Sequence, residues 1–259
     1  MSKSNEPILN KLFKDSNTYV EEAIKVNKEE FIKVVESRRS VRIYNDSKVK
    51  EEDMLECLEL SLLSANSSNL QPWEFYWVRD LEKKNKLIDY CLGQPAAKTA
   101  QELVVCVARP DSWKKNTQTM LDMFKDKELP KAVESYYTKI VPLAYNQGFL
   151  GLFGLIKKIS TFLIGLKKSI PREPTSISDM NVWAQKSTAL ACQTLMLALR
   201  AFGYDSCPME GIDSYRIKKL LKLPKTAQIC MVISAGKRAS NGVYGKRFRL
   251  NKDEFIKVV

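Results

Sequence analysis

The chain has 259 residues, 44% of them hydrophobic, so it is long enough to bury one substantial core. It contains no histidine, which excludes the Ser-His-Asp triad, the Cys-His nucleophile and imidazole metal ligands. The formal net charge of +12 predicts attraction to phosphorylated small molecules, nucleic acid or anionic membranes, although most of the excess is scattered lysine.

Cysteine usage and the N-terminal residues indicate the compartment. The six cysteines form no C-x-x-C pair, which favours reduced thiols over a disulfide or zinc framework, and we expect no metal site. Residues 1–10 are polar and lack the apolar core of a signal peptide. The sequence therefore predicts a cytoplasmic protein. No linker rich in Pro, Gly or Ser divides it, so we expect one domain with excursions.

Two short helices are predicted before the first strand. Asn27 followed by Glu30 has the spacing of a capping box, and the helix that it begins is expected to end at Ser37. A second helix is predicted over residues 51–65, with acidic residues in its first turn. Its apolar face is expected to consist of Leu55, Leu58, Leu62 and Ala65.

Three runs of aromatic and β-branched residues predict buried strands over 73–78, 103–108 and 229–235. A long helix is predicted from Asp179 to Phe202, capped by Ser178 or Asp179. Its second half is apolar on nearly every side, so it must be buried in a large core or in a subunit interface. A few strands among many helices, without a regular βαβ alternation, indicate an α+β fold.

Residues 148–168 contain two apolar blocks separated by Lys157 and Lys158. A membrane-spanning helix needs roughly 20 apolar residues without such an interruption, which disfavours a transmembrane segment. The segment could cover a ligand pocket, pack on a partner subunit or lie on a membrane surface. We favour the first two, because membrane-surface helices usually show a wider basic face.

Three guanidiniums and a hydroxyl occur together in residues 38–42, a combination suited to binding a phosphate and a polar ring edge. An arginine-rich helix end can also be an ordinary solvated C-terminus. Three further segments follow in order. They are the polar loop and strand start Asn66–Trp73, the turn Asp205–Asp213 and the basic segment Tyr244–Arg249.

These four segments resemble the FMN-dependent nitroreductase family over most of the chain, from Phe31 to about Leu250. The third is similar to the family's Pro-x-Glu-Gly-Phe-Asp turn, and the fourth to its basic closing segment, where the family often has Lys at the position of Arg247. The resemblance implies a nitroreductase-like α+β fold, in which a central, mostly antiparallel sheet is flanked by helices, and an intertwined homodimer. The implied regions are a helical extension (1–30), an FMN domain (31–250) with a variable substrate-side or lid insertion (111–178), and a C-terminal tail (251–259).

The resemblance also implies the residues that bind the flavin phosphate and ribityl chain. These are Arg38, Arg39, Ser40, Arg247 and Arg249. Arg42 would reach the pyrimidine edge of the flavin, where negative charge accumulates on reduction; an ordinary surface ion pair is the alternative. Gln94 would hydrogen-bond the ring, unless it is a loop glutamine facing water.

Two further groups complete the implied site. The first group consists of Pro208, Met209, Glu210 and Gly211, and it would lie over the flavin ring. The backbone N–H of Glu210 or Gly211 would then be near the hydride-accepting nitrogen. The second would reach the flavin of the other subunit and consists of Ala65, Asn66, Ser67 and Asn69. Cys207 is interpreted as a packing residue.

The implied activity is reduction of nitroaromatics, quinones or related electron-poor acceptors by ping-pong hydride transfer from NAD(P)H through FMN, without a catalytic acid–base side chain. The same fold also supports dehalogenase, flavin-fragmenting and dehydrogenase reactions. The discriminating region would be 111–174, whose aromatic residues Tyr136, Tyr137, Tyr145, Phe149 and Phe153 could form a wall for flat acceptors or simply pack in the core.

An alternative from another class is a basic membrane- or nucleic-acid-binding protein. That function predicts clustered cations interleaved with exposed aromatics, whereas the charge here is diffuse. We therefore expect no nucleic-acid partner, and membrane contact only through residues 148–168.

Overall fold

The computed structural model describes residues 21–124 and 131–259. Four strands form one sheet in the order β1-β2-β4-β3. Their bounds are Trp73–Trp77 (β1), Glu102–Ala108 (β2), Asp205–Met209 (β3) and Gln228–Gly236 (β4). Each of the three pairings is antiparallel, which confirms the predicted α+β fold with an antiparallel central sheet.

Helices surround this sheet. In chain order they are α1 (Lys28–Ser37), α2 (Glu51–Leu62), α3 (Leu81–Tyr90), α4 (Pro95–Lys98), α5 (Trp113–Asp122), α6 (Lys131–Ser135), α7 (Val141–Tyr145), α8 (Leu152–Gly165), α9 (Ile177–Ala201) and α10 (Ser214–Leu220). Short 3-10 turns occur at Ser67–Asn69, Phe149–Gly151 and Lys252–Glu254, and a π-helical turn at Tyr136–Ile140 joins α6 to α7.

Strand β2 lies at the centre of the core because both of its faces are covered. Val104 and Cys106 pack with residues of α9, including Leu195 and Leu199. The alternate residues, Val105 among them, pack on the opposite side of the sheet with side chains of α3 and α4. A strand buried on both faces has a continuous apolar sequence rather than an alternating one, which is why this strand was predictable.

Strand β3 was not predicted as a strand. Its sequence contains Asp205, Ser206 and Pro208, residues that favour turns, and it pairs only at one edge with β4. On its other side, Ser40 forms an isolated parallel bridge with Ser206. Because Pro208 lies two residues after Ser206, its backbone faces that same edge, where a missing N–H costs no ladder hydrogen bond.

The predicted apolar face of α2 was only partly right, because Leu58 alone among its leucines packs against the core. The helix ends at Leu62 rather than Ala65, and its buried side chains are Met54, Cys57 and Ser61. Leu55 and Leu62 are exposed instead. The pattern of leucines therefore indicated a helix correctly but not the side that meets this chain's own core.

The long helix α9 begins earlier than predicted. Its N-cap is Ser176, whose Oγ accepts a hydrogen bond from the Asp179 N–H (3.0 Å), rather than Ser178 or Asp179. Within one chain the helix is not buried on all sides, since Val182 and Leu190 are about half exposed.

Of the predicted helical extension over 1–30, residues 1–20 lie outside the described part. Residues 21–27 are not helical, and α1 begins at Lys28 with Asn27 as its N-cap, as the capping-box spacing predicted. Among the described residues, no single helix has the length and apolarity to cross a membrane, but one bent pair does, Lys131–Tyr145 with Phe149–Gly165 at 65°.

Candidate functional site

The first basic segment is positioned by the end of α1 and by strand β3. The helix ends at Ser37, and Arg38 has extended backbone angles (φ −62°, ψ 122°) that turn the chain toward the sheet. The Val41 N–H donates to Ser206 O (3.1 Å), and the Val41 side chain is fully buried. This anchor fixes the neighbouring Arg38–Arg42 residues along the open edge of β3.

The second basic segment is fastened to the first by three hydrogen bonds. The Arg42 N–H donates to Gly242 O (2.8 Å), the Arg39 guanidinium to Gly245 O (2.6 Å), and the Arg247 guanidinium to Arg38 O (2.6 Å). Residues 209 positions apart in sequence are thus held side by side. Between them is an open cleft of about 260 Å³ lined by Arg38, Arg39, Ser40, Arg42, Val243, Tyr244, Gly245, Lys246, Arg247, Phe248 and Arg249.

The arginines of this basic cleft have no acidic partner in the described part of the chain. Within residues 21–124 and 131–259, none of the guanidiniums of Arg38, Arg39, Arg42, Arg247 and Arg249 forms an ion pair with a carboxylate. The pKa of Arg38 is lowered first by burial and then by the neighbouring charges of Arg247 and Arg249. A guanidinium whose pKa is lowered by neighbouring cations is stabilised by an anion placed among them.

Cys207 links this charge cluster to the turn that follows β3. Burial raises the pKa of its thiol, while the charges of Arg42 and then Arg38 act in the opposite direction, so both guanidiniums lie within electrostatic reach of Cys207. The side chain is 5% exposed and belongs to the core on the α3 side of the sheet. A protonated, buried thiol at this position packs and does not act as a nucleophile.

Gln94 is half-buried, and its side chain is bonded to the protein rather than free in solvent. Its Nε2 donates to Gly211 O (2.8 Å), which ties the start of α4 to the turn at 208–211. In that turn the Met209 side chain is buried in the core, so it is not available to contact a ligand. Asp213 then caps α10 by accepting from the Arg216 N–H (3.0 Å).

The polar loop at 65–71 lies against the tyrosines of α7 and the π-helical turn. Tyr145 Oη lies 3.0 Å from Ser67 Oγ and 3.1 Å from Ser68 Oγ, and Tyr136 Oη lies 2.7 Å from Ser68 Oγ. Tyr137 Oη donates to Ser68 O (3.1 Å). These bonds hold a backbone that is left-handed at Ser68, Asn69 and Gln71, which have φ values of 58°, 50° and 45°.

The predicted aromatic wall is therefore divided. The Tyr136, Tyr137 and Tyr145 hydroxyls bind the polar loop, and the Tyr145 ring packs in the core 4.7 Å from Trp183. Phe149 is exposed and Phe153 half-buried. In the described part of the chain, no hydrogen bond, ion pair or ring contact joins the polar loop to the basic cleft.

The predicted site residues thus fall into three groups. The first group lines the basic cleft and consists of Arg38, Arg39, Ser40, Arg42, Arg247 and Arg249. The second is connected by the Gln94–Gly211 bond and consists of Gln94 with Pro208, Met209, Glu210 and Gly211. The third, Ala65, Asn66, Ser67 and Asn69, belongs to the separate polar loop.

Sequence reasoning missed the aromatic part of the cleft. The Arg42 guanidinium lies over the Tyr244 ring, 5.2 Å from its centroid, in place of the surface ion pair that was the alternative for Arg42. Phe248 also lines the cleft. Both alternate with the cations of the closing basic segment, a pattern that could have identified them.

The comparisons with known proteins identify the family of the chain. A sequence model of the nitroreductase family matches residues 35–151 and 154–237. The chain is 28% identical to protein DrgA of Synechocystis over 211 residues, covering 81% of this chain and 84% of that protein. It is 27% identical over 230 residues to YdgI of Bacillus subtilis, whose name assigns it provisionally to the NAD(P)H nitroreductases, with 88% and 97% covered.

The fold matches a crystal structure from Exiguobacterium sibiricum, which is described as a nitroreductase candidate in complex with FMN. The TM-score is 0.66 at 22% identity, covering 88% of this chain and 97% of that one. At this identity the match shows the fold alone. The family match, by contrast, extends over most of the sequence, and the chain therefore belongs to the nitroreductase family, as an oxidoreductase of that type.

Proposed function

We propose that the protein is a homodimeric, FMN-dependent NAD(P)H oxidoreductase that reduces nitroaromatics, quinones or related electron-poor acceptors. The observation that carries this proposal is the basic cleft, in which five arginines converge beside the edge of β3 without a carboxylate partner among the described residues. Family membership, the name of YdgI and the FMN complex of the Exiguobacterium relative support it.

The residues of the cleft fit a flavin phosphate. Guanidiniums donate paired hydrogen bonds to phosphate oxygens, and each charge-assisted bond contributes about 1.5–3 kcal/mol. Arg38 and Arg247 are the best placed of them, because the Arg247–Arg38 hydrogen bond already holds the two segments together. A dianion in the cleft would offset the mutual repulsion of these cations.

Other residues of the chain would orient the ring system. Arg42 would supply a fixed positive charge at the pyrimidine edge, steadied by the Tyr244 ring beneath it. The Gln94 bond to Gly211 would hold the turn at 208–211 over the ring face. The chemistry supplied by bound FMN is hydride uptake from NAD(P)H and hydride transfer to the acceptor, in ping-pong order.

The exposed apolar residues of α2 and α9 support a dimer. Ser64 Oγ donates to Thr194 Oγ1 (2.7 Å), and the exposed side chains of Leu63 and Leu190 lie within four residues of this bond. A partner chain would cover these leucines. The polar loop, which begins beside them, would then be positioned to serve the partner's site.

The proposal is tested with the purified protein. A flavin absorbance spectrum that bleaches anaerobically on addition of NADH or NADPH, and recovers on addition of a quinone or nitroaromatic, is the expected result. Initial rates at several acceptor concentrations should give the parallel double-reciprocal lines of ping-pong kinetics. Protein that carries no flavin, and fails to promote bleaching of added FMN by either nicotinamide, would refute the proposal.

A further inference from the structure

Helix α8 turns its apolar face away from the rest of the chain. Its apolar outward residues are 55–68% exposed, and they are Leu152, Leu155, Ile156, Ile159, Phe162, Leu163 and Leu166. On a helical wheel these residues occupy one continuous arc, because they recur at intervals of three and four. We call this arc the outer α8 face.

The opposite side of α8 is small and polar, and it packs on the segment before α9. Gly154 is buried, and a side chain there would collide with Thr175 O. Lys157 Nζ donates to Ala144 O (2.7 Å) and Pro174 O (3.0 Å). Arg172 donates to Thr161 O and to Gly165 O, both at 3.0 Å. These polar bonds fix the helix with its apolar side outward.

Cations flank the outer α8 face. Residues 148–172 contain five basic residues and no acidic one. Lys158 lies at one margin of the apolar arc and Lys167 at the other, because they stand at wheel positions on either side of Ile159 and Leu166. Lys157 is turned inward and does not contribute to the charge at either margin.

From these features we propose that the outer α8 face binds the surface of an anionic phospholipid bilayer, with the helix lying in the plane of the interface. The apolar side chains of a 14-residue helix would enter the boundary between headgroups and acyl chains to a depth of about 5–10 Å. Lys158 and Lys167 would contact the lipid phosphates, which attract basic residues near the surface.

A second copy of the chain fits this face less well. Two copies meeting through it would bring the flanking lysines of each segment together, in a stretch that contains no acid to pair with them. An anionic bilayer supplies both the apolar medium and the negative charge. The proposal does not depend on the bound cofactor, because vesicle binding is measured without any redox reaction.

The test is co-sedimentation of the purified protein with phosphatidylcholine vesicles that contain or lack phosphatidylglycerol. We expect binding to the anionic vesicles. Leu155→Ser combined with Phe162→Ser should weaken it at least about tenfold, since burial of each large apolar side chain contributes strongly to insertion. The matched control is Leu81→Ser with Met123→Ser, which alters two apolar side chains elsewhere that are at least as exposed.

A second pair of variants separates local from overall charge. Lys158→Gln with Lys167→Gln should weaken binding about tenfold, whereas Lys115→Gln with Lys225→Gln, the same change in net charge, should not. Circular dichroism and sedimentation velocity of every variant check folding and assembly. Equal loss in both lysine pairs would overturn the proposal. The proposal would also be overturned if the parent protein bound no lipid and the Leu155→Ser, Phe162→Ser variant formed a smaller assembly than the parent. That result would identify the face as a contact between copies.

Discussion

Asp205 balances the arginines that stand behind the basic cleft. Its carboxylate is 4% exposed and accepts from Arg200 (2.7 Å) and from Arg238 Nε (2.8 Å). Burial alone would raise the pKa of Asp205, but hydrogen bonds and charges from Arg238 and then Arg200 outweigh it and hold the pKa below its usual value. The two arginines are thereby neutralised, unlike those of the cleft.

The pH dependence of stability tests this pairing. A carboxylate with a depressed folded-state pKa stabilises the fold above its unfolded pKa of about 3.9, and this contribution is lost as the pH falls through the folded value. Asp205→Asn should lower the free energy of unfolding by about 3 kcal/mol at neutral pH. On acidification, the free energy of unfolding of this variant should fall less than that of the parent protein. Urea unfolding at several pH values measures both. Parallel pH profiles for the two proteins would contradict the assignment.

Among single residues of the site, the charged ones were the easiest to predict from the sequence. Arg38, Arg39 and Arg42 stood out because three guanidiniums lie within five residues of the sequence, whereas Arg247 and Arg249 were implied by the family resemblance. Tyr244 was missed because an aromatic ring has many possible roles, and only the fold places it beneath Arg42. Cys207, by contrast, was interpreted correctly as buried.

At the scale of elements, existence was easier to predict than orientation. The helices α1, α2 and α9 and the strands β1, β2 and β4 follow from caps and apolar runs. The buried side of α2 does not, because two leucines of its apolar pattern, Leu55 and Leu62, are exposed and only Leu58 packs partly against the core. Strand β3 depends on a partner strand, so its local sequence carries little signal of it.

The polar loop provides a test of side-chain bracing. Tyr136→Phe with Tyr145→Phe removes the hydroxyls that bind Ser67 and Ser68, each worth about 0.5–1.5 kcal/mol. We expect amide hydrogen exchange in residues 66–71 to become about tenfold faster or more. Tyr76→Phe is the matched control, because it removes a hydroxyl that bonds Glu74 on β1 instead. Unchanged exchange in the double variant would show that the loop holds its left-handed backbone without the tyrosines.

Gly154 tests how α8 is attached. Replacing glycine with alanine inside a helix normally stabilises it by about 1 kcal/mol. Here the added methyl group would collide with Thr175 O and the Gln147 side chain, so Gly154→Ala should instead lower the free energy of unfolding. Ser160→Ala, on the exposed side of the same helix, should be neutral or slightly stabilising. A stabilising effect at both positions in urea unfolding would argue against this packing of α8.

For the whole molecule, the separation of the polar loop from the basic cleft is the main organising feature. Residues 38–42 and 244–249 form one cleft, whereas residues 65–69 are held by the tyrosines of another region. The sequence resemblance implied that these groups serve different subunits, and the separation within one chain is compatible with that arrangement. The sequence alone does not reveal this sharing of sites, because it depends on how two chains assemble.

A mixed dimer tests the shared site. One chain carries Arg42→Ala and the other Ser67→Ala with Asn69→Ala, and the two are co-expressed with different affinity tags. If the loop of one chain serves the cleft of the other, one of the two sites contains both defects and the other contains none. The hybrid should then keep about half of the parent activity, while each homodimer is impaired at both sites. Equal damage at both sites of the hybrid would contradict a shared site.

The central claim, that the basic cleft binds a flavin through its phosphate, is tested most directly by comparing FMN with riboflavin. Fluorescence titration of the flavin-free protein should give a Kd for FMN at least about 100-fold below that for riboflavin, because riboflavin lacks the group that the arginines would bind. Arg38→Ala with Arg247→Ala should remove most of this difference, whereas Arg79→Ala, which breaks an exposed ion pair with Glu51, should preserve it. Equal affinity of the parent protein for FMN and riboflavin would contradict the claim.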